Sequence, residues 1–196
     1  MSRKMLGIGV AIVLVLTVLS AIVWYQYQAA GSSRDAIAGG PVELPSTQGE
    51  FSLSQLEEDQ IAILSFGYTH CPDVCPMTQG VKRQALQQLD ARQRRRVVPV
   101  MVSVDPQRDT LERLKQYMGF FGDEFIAVTG TSTQLEELAE RYGVIWRRVE
   151  NPDSAMEYTI DHSSSLYLVD REGNILQRVL YSPTPHALTS ALQEVL

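Results

Sequence analysis

The two cysteines of the chain lie in one short stretch, Ile61-Ala-Ile-Leu-Ser-Phe-Gly-Tyr-Thr-His-Cys-Pro-Asp-Val-Cys-Pro76. Its first part, residues 61–66, is an apolar run with the length of a buried strand. Its second part carries Cys71 and Cys75, four positions apart, where the next predicted helix begins. All the thiol chemistry of the chain is therefore concentrated at one turn, where it can bind a metal, exchange electrons or form a disulfide.

Strands and helices alternate on both sides of this stretch. The predicted elements are a hairpin over 41–56, a strand over 61–66, a helix over 75–95, a strand over 97–103, a helix over 110–120, a strand over 125–128, a helix over 132–142, an extended segment over 144–149, a hairpin around 170–174 and a last helix over 185–196. This order predicts an α/β fold of the thioredoxin-like type, in a peroxiredoxin-like variant, over residues 41–196. In that fold reactive cysteines follow the first central strand.

The spacing of the cysteines differs from that of thioredoxin, since three residues separate them instead of two. Pro76 suits the first turn of a helix and not its interior, which predicts an irregular turn over 71–74 and a regular helix from Cys75 or Pro76. Free amides at a helix N-terminus favour thiolates, so we expect lowered cysteine pKa values. The two sulfurs are expected to be close enough to form a disulfide or to share one ion.

Thiolates are soft donors that suit Cu(I) or zinc, and a zinc site would need more ligands than two cysteines supply. The chain has three histidines. His70 adjoins Cys71 and is expected to point away, and His186 is expected on the surface of the last helix. His162 precedes the strand predicted over 165–169, where thioredoxin-like folds bring a loop against the cysteines. His162 is therefore the predicted third ligand.

The N-terminal region has the pattern of a membrane anchor. Residues 6–25 contain no charge and are long enough to cross a bilayer as a helix, whereas a cleaved signal peptide usually has a shorter apolar region. Arg3 and Lys4 before it should stay in the cytoplasm. We therefore predict a single-pass anchor over 1–28 in the cytoplasmic membrane, a tether over 29–40, and a domain on the periplasmic or outer face.

Charge and cysteine count exclude several classes of protein. The chain has a net charge of −6, and the anchor carries only Arg3 and Lys4, so the exported part carries −8. Such a domain is not expected to bind nucleic acid. Two cysteines are too few for a disulfide-built scaffold, and in an oxidising compartment they form a disulfide, a redox centre or a metal site. The basic run over 92–96 indicates a solvated helix end or a docking patch for an acidic partner.

Three motifs together resemble the Sco/SenC family of membrane-anchored copper proteins. They are Phe66–Pro76, Ser103-Val-Asp-Pro-Gln-Arg-Asp-Thr110, and Asp161-His162 ahead of an apolar strand. The resemblance implies a thioredoxin-like fold in which Cys71, Cys75 and His162 bind one copper ion, Cu(I) or Cu(II). It also implies a role in assembling the dinuclear copper centre of cytochrome c oxidase. The expected partners are the copper-bearing oxidase subunit and a periplasmic copper chaperone or thiol reductase.

The main hypothesis is therefore a copper metallochaperone. The alternative is a thiol–disulfide oxidoreductase that keeps the oxidase cysteines reduced, with Cys71 and Cys75 as its catalytic residues. A peroxidase and a redox or copper sensor are weaker alternatives. The segment from Asp105 to Thr110 is expected to form a turn and a helix cap in which Arg108 pairs with a carboxylate. Asp161 either supports His162 or points away from it.

Overall fold

The computed structural model places the predicted site in one part of the chain. The described residues are 15–25, 37–152, 154 and 156–196. The chain divides into two units, Met1–Ile37 and Ala38–Leu196. The second unit contains every predicted site residue.

In the first unit, residues 15–25 are helical. Most of the predicted anchor over 1–28 and of the tether over 29–40 lies outside the described residues, and both stay predictions. Within the part of the chain that is described, we find no helix that combines the length and the apolar character required to cross a membrane.

The elements of the second unit follow the predicted alternation. They are β1 (Glu43–Ser46), β2 (Gly49–Ser52), β3 (Ile61–Gly67), α1 (Val74–Gln87), α2 (Ala91–Arg95), β4 (Val97–Ser103), α3 (Leu111–Gly119), β5 (Ile126–Val128), α4 (Ser132–Arg141), β6 (Trp146–Glu150), β7 (Tyr158–His162), β8 (Leu166–Val169), β9 (Ile175–Val179) and α5 (His186–Val195). A 3₁₀ turn over Leu53–Gln55 follows β2.

Seven of these strands form one mixed sheet in the order β2-β1-β5-β4-β3-β8-β9. The central strands β3, β4 and β5 are parallel, and β8 joins β3 in the antiparallel sense. The apolar run of β3 is buried along its whole length, as expected for a strand covered on both faces. Within the described part of the chain, strands β6 and β7 pair only with each other. The mixed α/β class and the order of the central elements are confirmed.

The two faces of β3 pack against different helices. Ile61 and Ile63 belong to a core cluster that includes residues of α1, α3 and α5. Phe66 points to the other face, where its ring lies 6.0 Å from that of Tyr142 at the end of α4. Helices therefore cover both faces and leave the carboxyl ends of β3 and β4 open at one edge, where sites of α/β proteins usually form.

The single helix predicted over 75–95 is wrong. Helix α1 ends at Gln87, and α2 starts after Asp90. The Asp90 carboxylate accepts hydrogen bonds of 2.8 Å from the amides of Arg92 and Gln93, and the Gln93 side chain accepts one of 3.2 Å from the Asp90 amide. This capping box starts a new helix, because it satisfies the free amides of its first turn.

The segment that carries His162 also differs from the prediction, which placed it in a loop. Residues Tyr158–His162 form strand β7, in which His162 pairs with Trp146 and Asp161 pairs with Arg147 of β6. Tyr158, Thr159 and Ile160 are residues with high strand propensity. The pairing with β6 therefore extends the chain up to His162.

Candidate metal centre

The cysteines follow β3 directly at the open edge of the sheet. The amide of Cys71 donates to the carbonyl oxygen of Tyr68 at 3.3 Å, which forms a turn before α1. Cys75 lies in the first turn of α1 and is buried, whereas Cys71 is half-buried, and both are free thiols. Helix α1 starts at Val74, one or two residues earlier than predicted, and Pro76 occupies its first turn as expected.

Gly67 allows the cysteine-bearing turn to pack closely against the end of β3. A Cβ atom at position 67 would lie 3.0 Å from the Sγ atom of Cys75 and 3.7 Å from the Sδ atom of Met101. Because 3.0 Å is shorter than ordinary contacts of such atoms, a larger side chain would displace Cys75. The glycine is therefore part of the geometry of the thiol pair.

His162 reaches this pair from β7, at the other side of the edge. Its Nε2 atom lies 3.3 Å from the Sγ atom of Cys75, and its Nδ1 atom lies 3.1 Å from the carbonyl oxygen of Ser163. Since a carbonyl oxygen only accepts, Nδ1 carries the proton of the neutral ring. In this tautomer the lone pair of Nε2 is directed toward Cys75, which is the orientation of a histidine that binds a metal.

The two thiols have opposite electrostatic surroundings. Hydrogen bonding with Cys75, and to a smaller degree with His162 and the amides of Asp73 and Cys75, lowers the pKa of Cys71 to about 3 although burial opposes it. The hydrogen bond with Cys71 and burial raise the pKa of Cys75. Cys71 is thus the thiolate, and Cys75 holds the proton. The expected lowering of the pKa is confirmed for Cys71 and is wrong for Cys75, where burial and the neighbouring thiolate dominate.

This asymmetry predicts that Cys71 of the reduced, metal-free protein reacts with iodoacetamide at a nearly constant rate between about pH 5 and about pH 8. The reason is that a pKa of about 3 keeps it a thiolate throughout this range. For an ordinary cysteine with a pKa near 8.5, the thiolate fraction, and with it the rate, falls about ten-fold for each unit by which pH is lowered below the pKa. Mass spectrometry of timed samples measures the rate, and Cys71→Ser should abolish the reaction. A ten-fold fall per pH unit would contradict the assignment.

A buried carboxylate holds the cysteine turn from the segment after β4. Asp109 accepts hydrogen bonds from the Thr69 hydroxyl at 2.5 Å, from the Thr69 amide at 3.1 Å and from the Ser103 hydroxyl at 2.7 Å. Burial raises the pKa of Asp109, and these donors oppose that rise. Thr110 is the cap of α3, accepting from the amide of Arg113 at 3.2 Å. Of the two predicted cap residues, Thr110 is confirmed as the cap, and Asp109 instead holds the cysteine turn, a role that its sequence position did not indicate.

The segment after β4 also contacts the hairpin of β6 and β7, which carries His162. Asp105 is buried, pairs with Arg108 at 2.5 Å and accepts a 2.7 Å hydrogen bond from the hydroxyl of Tyr158 on β7. The pairing of Arg108 with a carboxylate is confirmed. Tyr68, just before the cysteines, accepts a 3.1 Å hydrogen bond from the amide of Ile160, and its ring meets that of His162 edge-on at 6.1 Å. The loop after β4 therefore supports both halves of the site.

The remaining candidate residues lie away from the sulfur pair. The Nδ1 atom of His70 is 3.3 Å from the hydroxyl of Thr69, and burial and the nearby Arg113 lower the pKa of His70. His186 is exposed at the start of α5, as predicted. Asp161 pairs with Arg147 at 3.3 Å on the solvent side of the hairpin. The alternative in which the Asp161 side chain points away from His162 is the one observed.

The donors fit a metal ion after a small adjustment. Among the described residues, no three His, Cys, Asp or Glu side chains are already arranged as a closed ligand set. Cys75 Sγ and His162 Nε2 are 3.3 Å apart, whereas bonds of about 2.3 Å to sulfur and about 2.0 Å to imidazole would separate them by roughly 3.5 Å at a tetrahedral angle and by roughly 3.7 Å at a trigonal one. Opening this contact slightly would admit an ion. The thiol of Cys71 interacts with both Cys75 and His162, which lower its pKa, so a third donor lies beside this contact.

The sequence interpretation missed Tyr68, Thr69 and Tyr158 as parts of the site. A signal was present for one of them, because Tyr158, Ile160 and His162 alternate and therefore share a face when the segment is a strand. For Thr69 the partner lies 40 positions away in the chain, so no local pattern indicates it.

Fold and site together define a thioredoxin-like domain that carries a Cys-x-x-x-Cys pair faced by a histidine at the carboxyl edge of its sheet. The family model described as SCO1/SenC matches residues 30–196, and the chain belongs to the SCO1/SenC family. The resemblance of the three motifs is thereby confirmed.

Individual relatives agree with this assignment. The SCO2-like protein RP587 of Rickettsia prowazekii is 34% identical over 139 residues, which cover 71% of this chain and 67% of the relative. The structure of Bradyrhizobium japonicum ScoI with copper bound has a TM-score of 0.70 and 30% identity, and covers 81% of this chain and 99% of that chain. Arabidopsis thaliana ScoI with copper bound has a TM-score of 0.69 and 29% identity, with 81% and 97% covered.

Proposed function

We propose that this protein is a copper metallochaperone that binds one copper ion through Cys71, Cys75 and His162. The observation that carries the proposal is the 3.3 Å contact between Cys75 Sγ and His162 Nε2, beside the thiolate of Cys71. Two sulfurs and one imidazole form a soft donor set that suits Cu(I) better than hard cations. Related proteins with copper bound share the fold at about 30% identity.

The charge state of the pair suits the uptake and release of copper. Cys71 is already a thiolate, so binding displaces only the proton held by Cys75. His162 lies on β7, Cys71 lies on the turn before α1 and Cys75 lies in the first turn of α1, so moving β7 away from α1 would free one ligand. Copper would then pass to an acceptor by ligand exchange while Cys71, the more accessible sulfur, stays bound.

Membership of the SCO1/SenC family supports a role in assembling the dinuclear copper centre of cytochrome c oxidase. The acceptor in this proposal is the copper-bearing subunit of the oxidase. The predicted anchor over 1–28 would hold the domain on the periplasmic or outer face of the cytoplasmic membrane, near that acceptor. A periplasmic copper chaperone would be the donor.

The proposal is tested by titrating the reduced protein with Cu(I) in the presence of a competing chelator. We expect the wild type to bind one equivalent. Removing a residue that only hydrogen-bonds to a metal ligand weakens metal binding by roughly 10- to 100-fold. His162→Ala should weaken Cu(I) binding by more than this, because it removes a direct donor. His186→Ala, which removes an exposed histidine, should bind like the wild type. Stoichiometric binding by the Cys71→Ser/Cys75→Ser double variant would refute the proposal.

A second candidate function is supported by the unequal exposure of the two sulfurs. Cys71 is half-buried and Cys75 is buried beside it, which is the arrangement of an attacking and a resolving cysteine. The Cys71 thiolate would attack a disulfide of the oxidase subunit and release one of its thiols. Cys75 would then break the mixed disulfide, reducing the substrate and leaving a Cys71–Cys75 disulfide that a thiol reductase must reduce.

The two candidate functions are separated by the same histidine variant. The substrate is a synthetic peptide with an internal disulfide between two cysteines in Cys-x-x-x-Cys spacing. His162→Ala should still reduce this peptide, because the bonds exchanged are between sulfur atoms and Cys75 contributes more than His162 to the low pKa of Cys71. If the variant loses copper binding and keeps this reduction, both functions are present in one site.

A further inference from the structure

The position of His162 depends on a hairpin that has no hydrogen-bonded place in the main sheet. Among the strands that the structure describes, β6 and β7 pair with each other only. A two-stranded hairpin is marginally stable by itself, so its contacts with the rest of the domain decide where its side chains lie. Three alternate residues of β7, Tyr158, Ile160 and His162, make such contacts, and they share one face of the strand.

Arg108 makes the most extensive of these contacts. Its Nε atom donates to Asp105 at 2.5 Å, and its Nη1 atom donates to the carbonyl oxygens of Met156 at 3.0 Å and Tyr158 at 3.1 Å. Its guanidinium carbon lies 3.5 Å from the centre of the Tyr158 ring. The guanidinium of Arg148 lies 3.6 Å from the same centre, which requires the opposite face of the ring. Arg108 thus contacts the beginning of β7 through backbone carbonyl oxygens and through the side chain of Tyr158.

We propose that Arg108 is a positioning residue that sets the place of the His162 imidazole relative to the two sulfurs, an inference that rests on the proposed role of His162 as a copper ligand. Arg108 holds the carbonyl of Tyr158, four residues before His162 on the same strand. A strand rises by about 3.3 Å per residue, so roughly 13 Å of strand separate Tyr158 from His162. A small rotation of the strand about Tyr158 therefore moves Nε2 farther than it moves atoms next to Tyr158.

A lysine cannot replace Arg108 in this role. The contacts combine a bond to a carboxylate, a donor shared by two carbonyl oxygens and a flat face on an aromatic ring. A guanidinium offers all of these at once because it is planar and carries five N–H donors. An ammonium group keeps the charge but has neither the flat face nor the spread of donors. The Asp105 to Thr110 motif thus serves the histidine half of the site as well as the cysteine half.

The decisive experiment is a double-mutant cycle between Arg108 and His162. Cu(I) affinity of the reduced protein is measured for Arg108→Lys and Arg108→Gln, each in the wild-type and in the His162→Ala background. We expect each change to weaken binding by about 10- to 100-fold in the wild-type background and to have no further effect without the imidazole. Arg147→Gln, an exposed change on β6, is the matched control and should have no effect.

A second readout does not need copper. In the metal-free protein, ¹⁵N NMR of the imidazole should show the Nδ1–H form of His162, fixed by the Ser163 carbonyl. We expect Arg108→Gln to mix the two neutral forms and Arg147→Gln to leave them unchanged. Tyr158→Phe, which removes only the hydroxyl bound to Asp105, should shift the same signals in the same direction and serves if the Arg108 variants fail to fold.

The outcomes separate this inference from the proposed function. Equal losses of affinity in both backgrounds, or an unchanged imidazole spectrum in the Arg108 and Tyr158 variants, would overturn the positioning role while the wild type still binds copper. A wild type that binds no copper would refute the proposed function instead, and the spectrum of the metal-free protein would still decide whether Arg108 positions the imidazole.

Discussion

Replacing Lys82 with methionine should make the metal-free domain more stable at neutral pH and should remove part of the pH dependence of its stability. Lys82 lies on α1 and has an exposed fraction of 0%. Its Nζ atom donates to the hydroxyl of Ser65 at 2.7 Å and to the carbonyl oxygen of Val100 at 2.8 Å. No ion pair among the described residues includes it.

The sign of this effect follows from the pKa of Lys82, which burial lowers well below its ordinary value of 10.5. Between the folded pKa and that of the unfolded chain, the folded domain binds fewer protons than the unfolded chain. Stability therefore rises with pH through this window by up to about 1.4 kcal/mol per pH unit. This gain in stability is complete only above the pKa that Lys82 has in the unfolded chain, and it is lost as pH falls toward the folded pKa. Methionine fills a similar volume and does not titrate, so it adds no pH dependence of this kind.

Urea denaturation of the reduced protein from pH 6 to pH 10 measures the effect. We expect the stability of Lys82→Met to exceed that of the wild type at pH 7, and the difference to shrink as pH rises. Lys115→Met on α3 is the control, because Lys115 is exposed. Its replacement should leave the plot of unfolding free energy against pH parallel to that of the wild type. Parallel curves for Lys82→Met would show that burial of this amine does not limit stability.

Lys82 also illustrates which part of the fold the sequence indicates. Residues Val81, Ala85, Leu86 and Leu89 have the spacing of an apolar helix face and predict that α1 packs on the sheet, as it does. The pattern does not reveal that Lys82 points inward beside Val81. Its burial depends on Ser65 and Val100, which lie on two different strands and become neighbours only after the sheet has formed.

The site shows the same division between local and distant information. Cys71 and Cys75 were predictable because their spacing and the helix start are encoded within a few residues. His162 was predictable from its place before β8, although the strand that carries it was taken for a loop. The support of both halves was not predictable, because Asp109 reaches back 40 positions to Thr69 and Asp105 reaches forward 53 positions to Tyr158. Such contacts follow from the topology of the sheet.

The segment from Asp105 to Thr110 therefore has a larger role than a turn and a helix cap. Its position after β4, the neighbour of β3, places it beside the cysteine turn. The carboxyl ends of parallel strands meet at one edge, so the loop after one strand is the natural support for the loop after the next. Asp109 is the residue through which this support reaches the cysteines.

Asp109→Ala should destabilise the domain by about 2 kcal/mol and should also weaken copper binding. The part-buried amide and hydroxyl of Thr69 and the buried hydroxyl of Ser103 would lose their acceptor, and a buried donor left unpaired costs roughly 1–3 kcal/mol. Removal of a desolvated carboxylate offsets part of this cost, since burial raises the pKa of Asp109. Thr69 lies two residues before Cys71, so the thiolate would lose its fixed place as well. Urea denaturation and Cu(I) competition measure the two effects.

Asp161→Ala is the matched control for this prediction. Asp161 belongs to an exposed ion pair with Arg147, in which its side chain is 66% exposed, so its removal should change stability by less than about 0.5 kcal/mol. Asp109→Asn keeps one acceptor oxygen for Thr69 and should fall between the wild type and Asp109→Ala. If Asp109→Ala proved as stable as Asp161→Ala, the hydrogen bonds of Asp109 would not hold the cysteine turn. If it lost stability but kept full copper affinity, the turn would be fixed by the packing of Cys75 against Gly67 instead.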